Sequence, residues 1–554
     1  MNTNRRNMIF IVVVPILLGA GFVYGFLAGK TKFFPYRLIE NVYNMSSFDE
    51  LLGANSLKDT SLFPIRMTTY RWPLGGERYS RGGGGITALA GRVLGVDKNG
   101  EFFVFDQNKK FWSLGTSINT NREDLAAKGN DPKTPSLDAL RSFRFMDIEA
   151  KVIEERTHLF VIYDYWHSDK ECKTTRVSRF ISDDFDRVVT GEVPMENADW
   201  ELVYESQPCL KFSYRNASPF QSPNTGGRLA VNSQNSLFMS LGDHHLDGVN
   251  NPRISSQSDE LDYGKIFTID IETFEAQPYA YGIRNPQGMT FDTRGNLWET
   301  EHGPQGGDEL NLIRGGVNYG WPLTTFGTQY GRWQWKLNED QGHHKGFELP
   351  VHAWVPSIGI SNLVRIEDQP ALWKDDLLIS SLKTGSLYRV RLQNDRVMLS
   401  EEIKVGERIR DIVLMEDGSV MLWTDSRNII SIVAEPKDEG NYTSVAERLS
   451  AMGVPANLNQ VILNCMNCHS FSKDNVSESV PPLWGVVGRS IGASGYPNYS
   501  NALQERSSDK WDRESLKAFI KNPQDFALGS TMPATIVMDD QTLDELVEYL
   551  QTLN

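Results

Sequence analysis

The sequence lacks a surplus of basic residues: 56 lysines and arginines are outnumbered by 71 aspartates and glutamates, and the net charge is −15. Nucleic-acid binding depends on clustered positive charge that replaces condensed counterions, so this balance argues against a nucleic-acid partner. Low-complexity runs are also scarce, and aromatic residues make up 11% of the chain, as is typical of globular domains. Because single cores rarely exceed roughly 250 to 300 residues, a chain of 554 residues predicts at least two folded units.

Charged residues are missing from an early stretch, Met8 to Gly29. A helix of this length crosses about 30 Å of hydrocarbon, so residues 8–29 are predicted to be a transmembrane helix and residues 1–30 a membrane anchor. Arg5 and Arg6 precede the stretch, and the positive-inside rule then sends the rest of the chain into the periplasm. We therefore expect a single-pass protein of a bacterial inner membrane. A cleaved signal peptide is the alternative, although its apolar region is usually only about 7 to 15 residues long.

Cysteine is rare, with four residues in the chain. Cys465 and Cys468 begin a C-x-x-C-H motif that ends in His469, the pattern in which two thiolates bind the haem vinyl groups and the imidazole binds the iron. A zinc site would need further Cys or His ligands at suitable spacing, and neither residue type occurs after His469. The motif therefore predicts covalently bound haem c. The remaining Cys172 and Cys209 form a disulfide in an oxidising compartment or stay as two separate buried thiols.

The region after the haem motif resembles class I cytochromes c. The resemblance lies in PPLWGVVGR at 481–489 and GSTMP at 529–533. It implies that Met532 is the second iron ligand and that the carbonyl of Pro481 accepts a hydrogen bond from the proximal imidazole. Met538 is an alternative thioether that lacks the family pattern. With both axial positions filled, the haem is expected to carry single electrons rather than bind a substrate.

The last part of this region has apolar residues at helical spacing. They predict an amphipathic helix packed on a core, and they are Leu543, Leu546, Val547, Leu550 and Leu553.

Helical periodicity is scarce between about residue 60 and residue 434. Instead, two apolar runs joined by a polar turn recur, and each such unit is predicted to be a β-hairpin. Examples are Val93–Phe105, Leu229–Met239, Met289–Trp298 and Ile412–Trp423. Recurrence over so long a stretch predicts a β-propeller, with a large β-sandwich array as the alternative. The predicted domains are the propeller at 31–434, a linker at 435–447 and the cytochrome domain at 448–554.

Within the predicted propeller, three phrases look like the soluble PQQ-dependent glucose and aldose sugar dehydrogenases, the glucose/sorbosone dehydrogenase family. They are YGIRNPQG at 281–288, TEHGPQGGDELN at 300–311 and NYGWP at 318–322. The resemblance implies a six-bladed propeller that holds pyrroloquinoline quinone (PQQ) and calcium. The expected fold class is thus an all-β six-bladed propeller plus a small all-α cytochrome c domain, with an N-terminal transmembrane helix.

The same resemblance implies a set of residues that bind PQQ. Arg284 and Asn285 match residues that contact the quinone or polarise its reactive carbonyl. Lys383 matches a lysine that pairs with the cofactor, and Arg408 and Arg410 match two arginines that bind its carboxylates. A tricarboxylate needs several fixed cations, and guanidinium groups suit bidentate pairing.

The resemblance also implies calcium sites. The backbone carbonyls of Gly303 and Pro304 match the ligands of the calcium that accompanies the cofactor, an ion that prefers oxygen ligands. Asp308 and Glu309 are the candidates for a second, structural calcium.

One family residue is missing: the histidine that acts as general base is replaced by Asn224. An amide does not accept a proton at physiological pH, and loss of a general base usually lowers the rate by about 10²- to 10⁴-fold. Asp243, which matches the aspartate that orients that histidine, is retained. His244 and His245 follow it and would supply an imidazole if they reached the site; otherwise they are surface histidines. Residues 143–147, glycine-rich in the family, are altered as well, on the substrate side of the pocket.

These features predict a membrane-anchored periplasmic quinohaemoprotein. It would oxidise a sugar or other alcohol with PQQ, using Arg284, Asp243 and a base near position 224, and pass electrons to its own haem c. A soluble cytochrome or a terminal oxidase would be the next acceptor. The alternative is a non-enzymatic cytochrome joined to a degenerate propeller that binds a ligand or partner. A calcium-dependent propeller hydrolase of the lactonase type is a third possibility, but it leaves the quinone-binding cations unexplained.

Overall fold

The computed structural model describes most of the chain after residue 55. The described residues are 56–60, 63–72, 82–106, 110–129, 140, 142–213, 215, 218–340, 342–368, 370, 373–434, 449–466, 469–471, 473, 480–496, 499–530, 532 and 539–553. The predicted membrane span at 8–29, the predicted linker at 435–447, Cys468 and Met538 lie outside them. No helix within the described ranges is long and apolar enough to cross a membrane.

Antiparallel strands account for nearly all regular structure up to residue 434. In chain order they are β1 (Ser56–Asp59), β2 (Pro64–Arg71), β3 (Gly84–Leu89), β4 (Arg92–Asp97), β5 (Glu101–Phe105), β6 (Phe111–Thr116), β7 (Phe145–Ile153), β8 (Arg156–His167), β9 (Cys172–Ser182), β10 (Glu201–Glu205), β11 (Leu210–Lys211), β12 (Gly226–Val231), β13 (Leu237–Leu241), β14 (Lys265–Ile269), β15 (Ala276–Tyr281), β16 (Pro286–Phe291), β17 (Leu297–Glu301), β18 (Asp308–Ile313), β19 (His352–Trp354), β20 (Ile360–Arg365), β21 (Leu377–Ser381), β22 (Ser386–Gln393), β23 (Arg396–Lys404), β24 (Ile409–Leu414), β25 (Val420–Thr424) and β26 (Asn428–Ala434). The four predicted hairpins are confirmed, because β4–β5, β12–β13, β16–β17 and β24–β25 pair antiparallel.

The strands form six sheets, and five of these are built from strands that follow one another in the chain. These five are β3–β6, β7–β10 with β11 beside β9, β12–β15, β16–β19 and β20–β23. The sixth combines both ends of the region, in the order β1, β2, β26, β25, β24. There β2 pairs with β26 from Ile65 opposite Ala434 to Arg71 opposite Asn428. The predicted six-bladed propeller is confirmed, and the sandwich array is excluded.

Each blade buries its faces against the blades on either side. Six apolar clusters fill the six interfaces between successive blades, including the one between β3–β6 and the sixth sheet. Large side chains such as Trp298 and Trp423 are fully buried in them. Since both faces of every sheet are covered, the inner strands are almost continuously apolar rather than alternating. The first strands of the blades, β3, β7, β12, β16, β20 and β24, contact one another around the axis.

The propeller region also contains two short helices and a disulfide. The helices are α1 (Arg122–Gly129) and α2 (Phe185–Val189), and a 3₁₀ turn spans Asn197–Asp199. Cys172 and Cys209 form a disulfide with their Cα atoms 5.6 Å apart, within the usual range of about 4.4 to 6.8 Å. Of the two arrangements that the sequence left open, the structure therefore has the bonded one.

The described residues from 449 onward contain helices and no named strand. These are a 3₁₀ turn (Ala456–Leu458), α3 (Asn459–Met466), α4 (Asn501–Gln504), α5 (Arg513–Lys521), α6 (Pro523–Phe526) and α7 (Asp540–Gln551). They share one apolar cluster whose buried members all lie between Leu449 and Leu553. The predicted terminal helix is confirmed as α7. It begins where the Asp539 side chain accepts a hydrogen bond from the backbone N of Thr542 (2.7 Å).

Candidate functional site

A cavity of about 1380 Å³ opens at one end of the propeller. Its walls come from the starts of the innermost strands and from the loops that join second and third strands. Asn224 and Arg284 represent the first group, and Lys98, His302, Lys383 and Arg427 represent the second. Because loops from every blade meet at this end, residues far apart in the chain surround a single space.

The cavity wall is strongly basic. Among the described residues that line it, nine are Lys or Arg, and a single one, Asp308, is acidic. The excess contrasts with the negative charge of the whole chain. Such a wall favours a ligand with several negative charges.

The predicted cofactor-binding residues Arg284, Asn285, Lys383, Arg408 and Arg410 all line this cavity. The Nζ of Lys383 donates a hydrogen bond to the carbonyl of Ser357 (2.9 Å). The structure thus brings together residues that are spread over more than 120 positions of the sequence.

Asp425 holds the two arginines in place. The Nε of Arg408 lies 2.9 Å from Asp425 Oδ2, and the Nε of Arg410 lies 3.0 Å from Asp425 Oδ1. Burial alone would raise the pKa of Asp425, but the two guanidinium groups hold it below its ordinary value. Sequence reasoning missed Asp425, since it follows the arginines by a whole hairpin and belongs to no motif.

Arg284 and Asn285 are positioned by a buried carboxylate. Glu301 Oε2 accepts hydrogen bonds from the backbone N of Arg284 (2.6 Å) and of Asn285 (3.2 Å). Burial raises the pKa of Glu301 to about 7, and these two bonds oppose the rise. The Arg284 Nη1 also donates to the carbonyl of His302 (2.7 Å), and its guanidinium lies over the Trp321 ring, 5.1 Å from the centroid. The backbone of both residues and the side chain of Arg284 therefore have fixed positions.

His302 also lines the cavity, and it is the one histidine among the described lining residues. Its sequence context had suggested no role for it. Asn285 Oδ1 accepts from the backbone N of Gly226 (3.2 Å) and from Gln287 Nε2 (3.0 Å), which fixes the amide orientation. Asn285 Nδ2 then donates to His302 Nδ1 (3.3 Å). Burial lowers the pKa of His302, so the ring is neutral with its proton on Nε2. In that state His302 has no free ring nitrogen with which to take a proton from a substrate.

Asn224 lines the cavity at the position where the family has its base. Its Nδ2 donates to Asp243 Oδ1 (3.0 Å), and Asp243 also accepts from Trp321 Nε1 (2.7 Å) and from the backbone N of His245 (2.9 Å). Asp243 is completely buried. Its pKa is raised to about 6, chiefly by burial and against the influence of Arg284. The aspartate that matches the orienting residue of the family thus orients an amide.

The two histidines after Asp243 are not part of the cavity wall. His244 is completely buried, with its Nδ1 3.4 Å from the carbonyl of Pro219 and its ring edge-on to Tyr263 at 4.9 Å. Burial holds the pKa of His244 well below its ordinary value. His245 contributes its backbone N to Asp243, as described above, and lines no part of the cavity.

Asp243 should make stability depend on pH. Its pKa is about 6 in the folded protein against about 3.9 when unfolded, so the stabilisation is fully present below pH 3.9 and is lost as the pH rises through 6. Between pH 4 and pH 7 we expect the unfolding free energy to fall by about 2 kcal/mol more than in Asp243→Asn. Urea unfolding of both proteins, followed by tryptophan fluorescence, measures the difference. Equal slopes for the two would contradict the assignment.

Of the predicted calcium ligands, Gly303 and Pro304 lie in the loop between β17 and β18, and Asp308 and Glu309 begin β18. Within the described residues, neither the carbonyl of Gly303 nor that of Pro304 accepts a hydrogen bond, so both oxygens are free to bind a cation. Asp308 is directed at backbone instead: it accepts from the N atoms of Gly303 (3.2 Å) and Gly359 (2.7 Å). Glu309 is buried, and burial raises its pKa well above the ordinary value. No cluster of three or more acidic, His or Cys side chains suited to a metal occurs in the described ranges, and the calcium sites stay predictions.

The close packing of the 303–307 loop should make calcium binding sensitive to substitution of Gly303. A Cβ on Gly303 would collide with the carbonyl oxygens of Gly306 and Gly307. Strain of about 1 to 3 kcal/mol in Gly303→Ala should weaken calcium binding by roughly 10- to 100-fold. Calorimetric titration with Ca²⁺ measures it, with Gly315→Ala as the control, because a Cβ there meets only the Tyr279 ring at 3.1 Å. Unchanged calcium affinity in Gly303→Ala would place the ion elsewhere.

Of the described haem-motif residues, Cys465 lies in the last turn of α3 and His469 follows that helix. His469 donates its backbone N to the carbonyl of Cys465 (2.8 Å), and its Nδ1 donates to the carbonyl of Pro481 (2.7 Å). That bond leaves Nε2 unprotonated, the form that binds a metal. Met532 is half-buried, and its backbone N donates to Ser530 Oγ (3.3 Å). The described residues are therefore compatible with an imidazole ligand and a thioether ligand.

The chain is similar to known proteins of the sugar dehydrogenase class. The family model "Glucose / Sorbosone dehydrogenase" matches residues 145–431, more than half of the chain. Aldose sugar dehydrogenase YliI of Escherichia coli (strain K12) is 33% identical over 231 residues, 38% of this chain and 60% of that protein. Quinoprotein glucose dehydrogenase B of Acinetobacter calcoaceticus is 24% identical over 311 residues, 41% of this chain and 63% of that protein. The chain thus spans less than two thirds of these relatives.

Solved dehydrogenase structures and a cytochrome c are also similar to parts of the chain. A glucose dehydrogenase structure (TM-score 0.51, 25% identity) aligns with 67% of this chain and 99% of its own. The apo soluble aldose sugar dehydrogenase of Escherichia coli (TM-score 0.52, 23% identity) aligns with 67% and 100%, a likeness of fold. Cytochrome c-550 of Ancylobacter novellus is 31% identical over 102 residues, 18% of this chain and 95% of that protein. The chain therefore belongs to the glucose/sorbosone dehydrogenase family, and it also carries a segment similar to nearly the whole of a cytochrome c.

Proposed function

We propose that the protein is a PQQ-dependent dehydrogenase that oxidises a sugar or other alcohol and passes the electrons to its own haem c. The observation that carries this proposal is the basic cavity, which nine cationic side chains line, four of them at the family's cofactor positions: Arg284, Lys383, Arg408 and Arg410. No ordinary neutral substrate requires so much fixed positive charge. A tricarboxylate quinone does.

The residues present fit PQQ. Lys383, Arg408 and Arg410 would hold its carboxylates, and Arg284 with Asn285 would face its reactive carbonyl. The Nε of Arg284 is buried without a hydrogen-bond partner, which is costly unless a ligand satisfies it. When bound, PQQ supplies a quinone that accepts a hydride from the alcohol carbon. The free carbonyls of Gly303 and Pro304 fit the accompanying calcium.

Asn224 would orient the substrate without activating it. Its Nδ2 is used by Asp243, so its Oδ1 is available to accept a hydrogen bond from the reacting hydroxyl. An amide oxygen holds that hydroxyl but does not remove its proton. The proton must therefore leave to water, and we expect slow turnover.

The haem segment would collect the electrons. His469 and Met532 would bind its iron, and Cys465 and Cys468 would attach it covalently. When attached, haem c accepts one electron at a time from a two-electron donor. The predicted linker at 435–447 would keep it at a millimolar-scale effective concentration near the cavity.

The proposed location is the periplasmic face of a bacterial inner membrane, with residues 8–29 as the anchor. The C-x-x-C-H motif and the Cys172–Cys209 disulfide support an oxidising compartment. A soluble cytochrome or a terminal oxidase would receive the electrons.

The proposal is tested with the full chain, matured with haem. PQQ and Ca²⁺ are titrated in, aldoses and simple alcohols are added, and the reduced haem α-band is followed. We expect haem reduction that needs PQQ and Ca²⁺ together and is lost on chelation of Ca²⁺. Absence of PQQ binding, measured separately by quenching of tryptophan fluorescence, would overturn the proposal.

The second candidate function is a non-enzymatic one, an electron-transfer cytochrome joined to a propeller that only binds a ligand. Asn224 at the base position favours it. In that case PQQ would bind, but no sugar or alcohol would reduce the haem even after Asn224→His.

A further inference from the structure

Five of the nine cations that line the cavity lie outside the cofactor positions of the family resemblance, and Arg144 is one of them. Arg144 directly precedes β7 and lines the cavity. Its Nη2 donates to the carbonyl of Pro223 (3.1 Å), and its Nη1 donates to the carbonyl of Gly82 (3.3 Å). Pro223 precedes Asn224, so the Arg144 guanidinium lies beside the position where the reacting hydroxyl would be held.

Arg144 is held in place by a buried support. Asp164 accepts the backbone N of Arg144 on Oδ2 (3.2 Å), and its own backbone N donates to the Arg144 carbonyl (3.0 Å). Lys173 lies 3.7 Å from Asp164 and donates to the carbonyl of Ser142 (3.2 Å). Asp164 and Lys173 are both completely buried. Burial of an ion pair costs desolvation energy, and here the buried pair fixes the position of the Arg144 backbone.

Among the described residues, no carboxylate forms an ion pair with the Arg144 guanidinium; Asp164 and Asp425 are near enough to favour its charge but do not pair with it. Other arginines of the cavity do form ion pairs: Arg228 pairs with Asp147 and Asp411, and Arg427 pairs with Asp97. Each Nη group of Arg144 uses one N–H on a backbone carbonyl and keeps one for a ligand. Burial and the nearby Arg410 lower the pKa of Arg144 to about 10, which leaves it charged at neutral pH.

The cofactor does not need this charge. Lys383 and the Arg408–Arg410 pair already provide the cations for the PQQ carboxylates, and Arg284 faces the quinone. A positive charge with two free N–H groups remains next to Asn224. The chemical partner that fits it is a carboxylate on the substrate itself.

We propose that Arg144 is a specificity-determining residue that binds the carboxylate of an acidic sugar, so that the preferred substrates are sugar acids such as uronic acids rather than neutral aldoses. This inference rests on the proposed function. The reacting carbon would lose a hydride to the quinone and its hydroxyl a proton to solvent, so the alcohol becomes a carbonyl with loss of two electrons and two protons. The carboxylate bound to Arg144 is unchanged by the reaction.

The test compares D-glucuronate with D-glucose, and D-galacturonate with D-galactose, on full-length holoprotein loaded with PQQ and Ca²⁺. In the unaltered protein we expect kcat/KM to be higher for each acid. In Arg144→Met the preference should fall by roughly 10- to 100-fold through the acid's kcat/KM, whereas the kcat/KM of the neutral sugars should change much less, because they have no carboxylate for Arg144 to bind. The preference in Arg144→Lys should be intermediate, because lysine keeps the positive charge but lacks the planar guanidinium that binds a carboxylate through two hydrogen bonds.

Arg156→Met is the control. It removes the same charge from the far end of the same blade, where Arg156 pairs with Asp183, and it should leave the preference unchanged. Equal loss for acids and neutral sugars in Arg144→Met, together with weaker PQQ binding, would make Arg144 a cofactor anchor and overturn the inference. An unaltered preference would overturn it as well.

A binding measurement separates this inference from the proposed function. Calorimetric titration of D-glucuronate into the protein needs no turnover. Binding that is lost in Arg144→Met, in a protein that oxidises nothing, would support the inference while the proposed dehydrogenase fails. Turnover of neutral sugars without Arg144-dependent binding of the acid would do the reverse.

Discussion

Asn224→His should raise kcat for sugar oxidation by about 10²- to 10⁴-fold, the usual contribution of a general base. The reason is the geometry already present: Asn224 Nδ2 is 3.0 Å from Asp243 Oδ1. A histidine there would donate its Nδ1–H to the same oxygen and direct an unprotonated Nε2 into the cavity. The measurement is steady-state oxidation of aldoses and uronic acids with a dye acceptor, on protein loaded with PQQ and Ca²⁺.

Two further variants make that result interpretable. Asn224→Gln is the matched control, because it places an amide rather than a base at the same position and should bring no gain. Asn224→His combined with Asp243→Asn should lose most of the gain, since the imidazole is then no longer oriented. No increase in Asn224→His, with PQQ affinity intact, would favour the binding-only propeller.

His469→Ala should abolish electron transfer to the haem while sugar oxidation with an artificial dye continues. The imidazole Nδ1 is fixed by the Pro481 carbonyl at 2.7 Å, and removal of the ring would take away the ligand proposed for the haem iron. We expect the sharp reduced α-band of a six-coordinate haem to disappear and the cytochrome-linked rate to fall to background. Absorption spectra and paired dye-linked and haem-linked assays measure both effects.

Lys521→Met is the control for that variant. Lys521 lies in α5 of the same helical region and forms an exposed ion pair with Asp540, which contributes little to stability. Its spectrum and its rates should match those of the unaltered protein. If His469→Ala keeps the α-band, the iron is bound by another residue and the electron route through this segment is wrong.

Local pattern was enough to predict the propeller. Apolar runs on both sides of an Asn-Gly or Asp-Gly turn, as in Val93–Phe105, specify a hairpin within a dozen residues. Closure of the ring was beyond such reasoning, because β2 and β26 pair across more than 350 residues of intervening chain. The motif phrases placed Arg284, Lys383 and Arg410 at one cavity, because the family resemblance supplied the long-range information.

The residues that position the site were harder to find. Asp425 and Glu301 act through contacts with residues distant in sequence, and a carboxylate that braces a backbone N–H leaves no spacing signal. His244 looked available because it follows Asp243, yet the turn it occupies directs it into the interior beside Tyr263. Arg144 was visible only as a departure from a glycine-rich pattern. In the structure, the residues around Arg144 fix the direction of its side chain and indicate the class of ligand that it would bind.

The way the ring closes has a mechanical consequence. The short strand β1 forms the edge of the sixth sheet, and next to it β2 runs antiparallel to β26, the last strand, with Ile65 opposite Ala434. Once β1 is detached, the incoming and outgoing chain are attached at the same end of one ladder. Tension between these attachments would load the hydrogen bonds one rung at a time rather than all together. The sixth blade would peel open under a small force, while the other five, which hold no chain end, would stay shut.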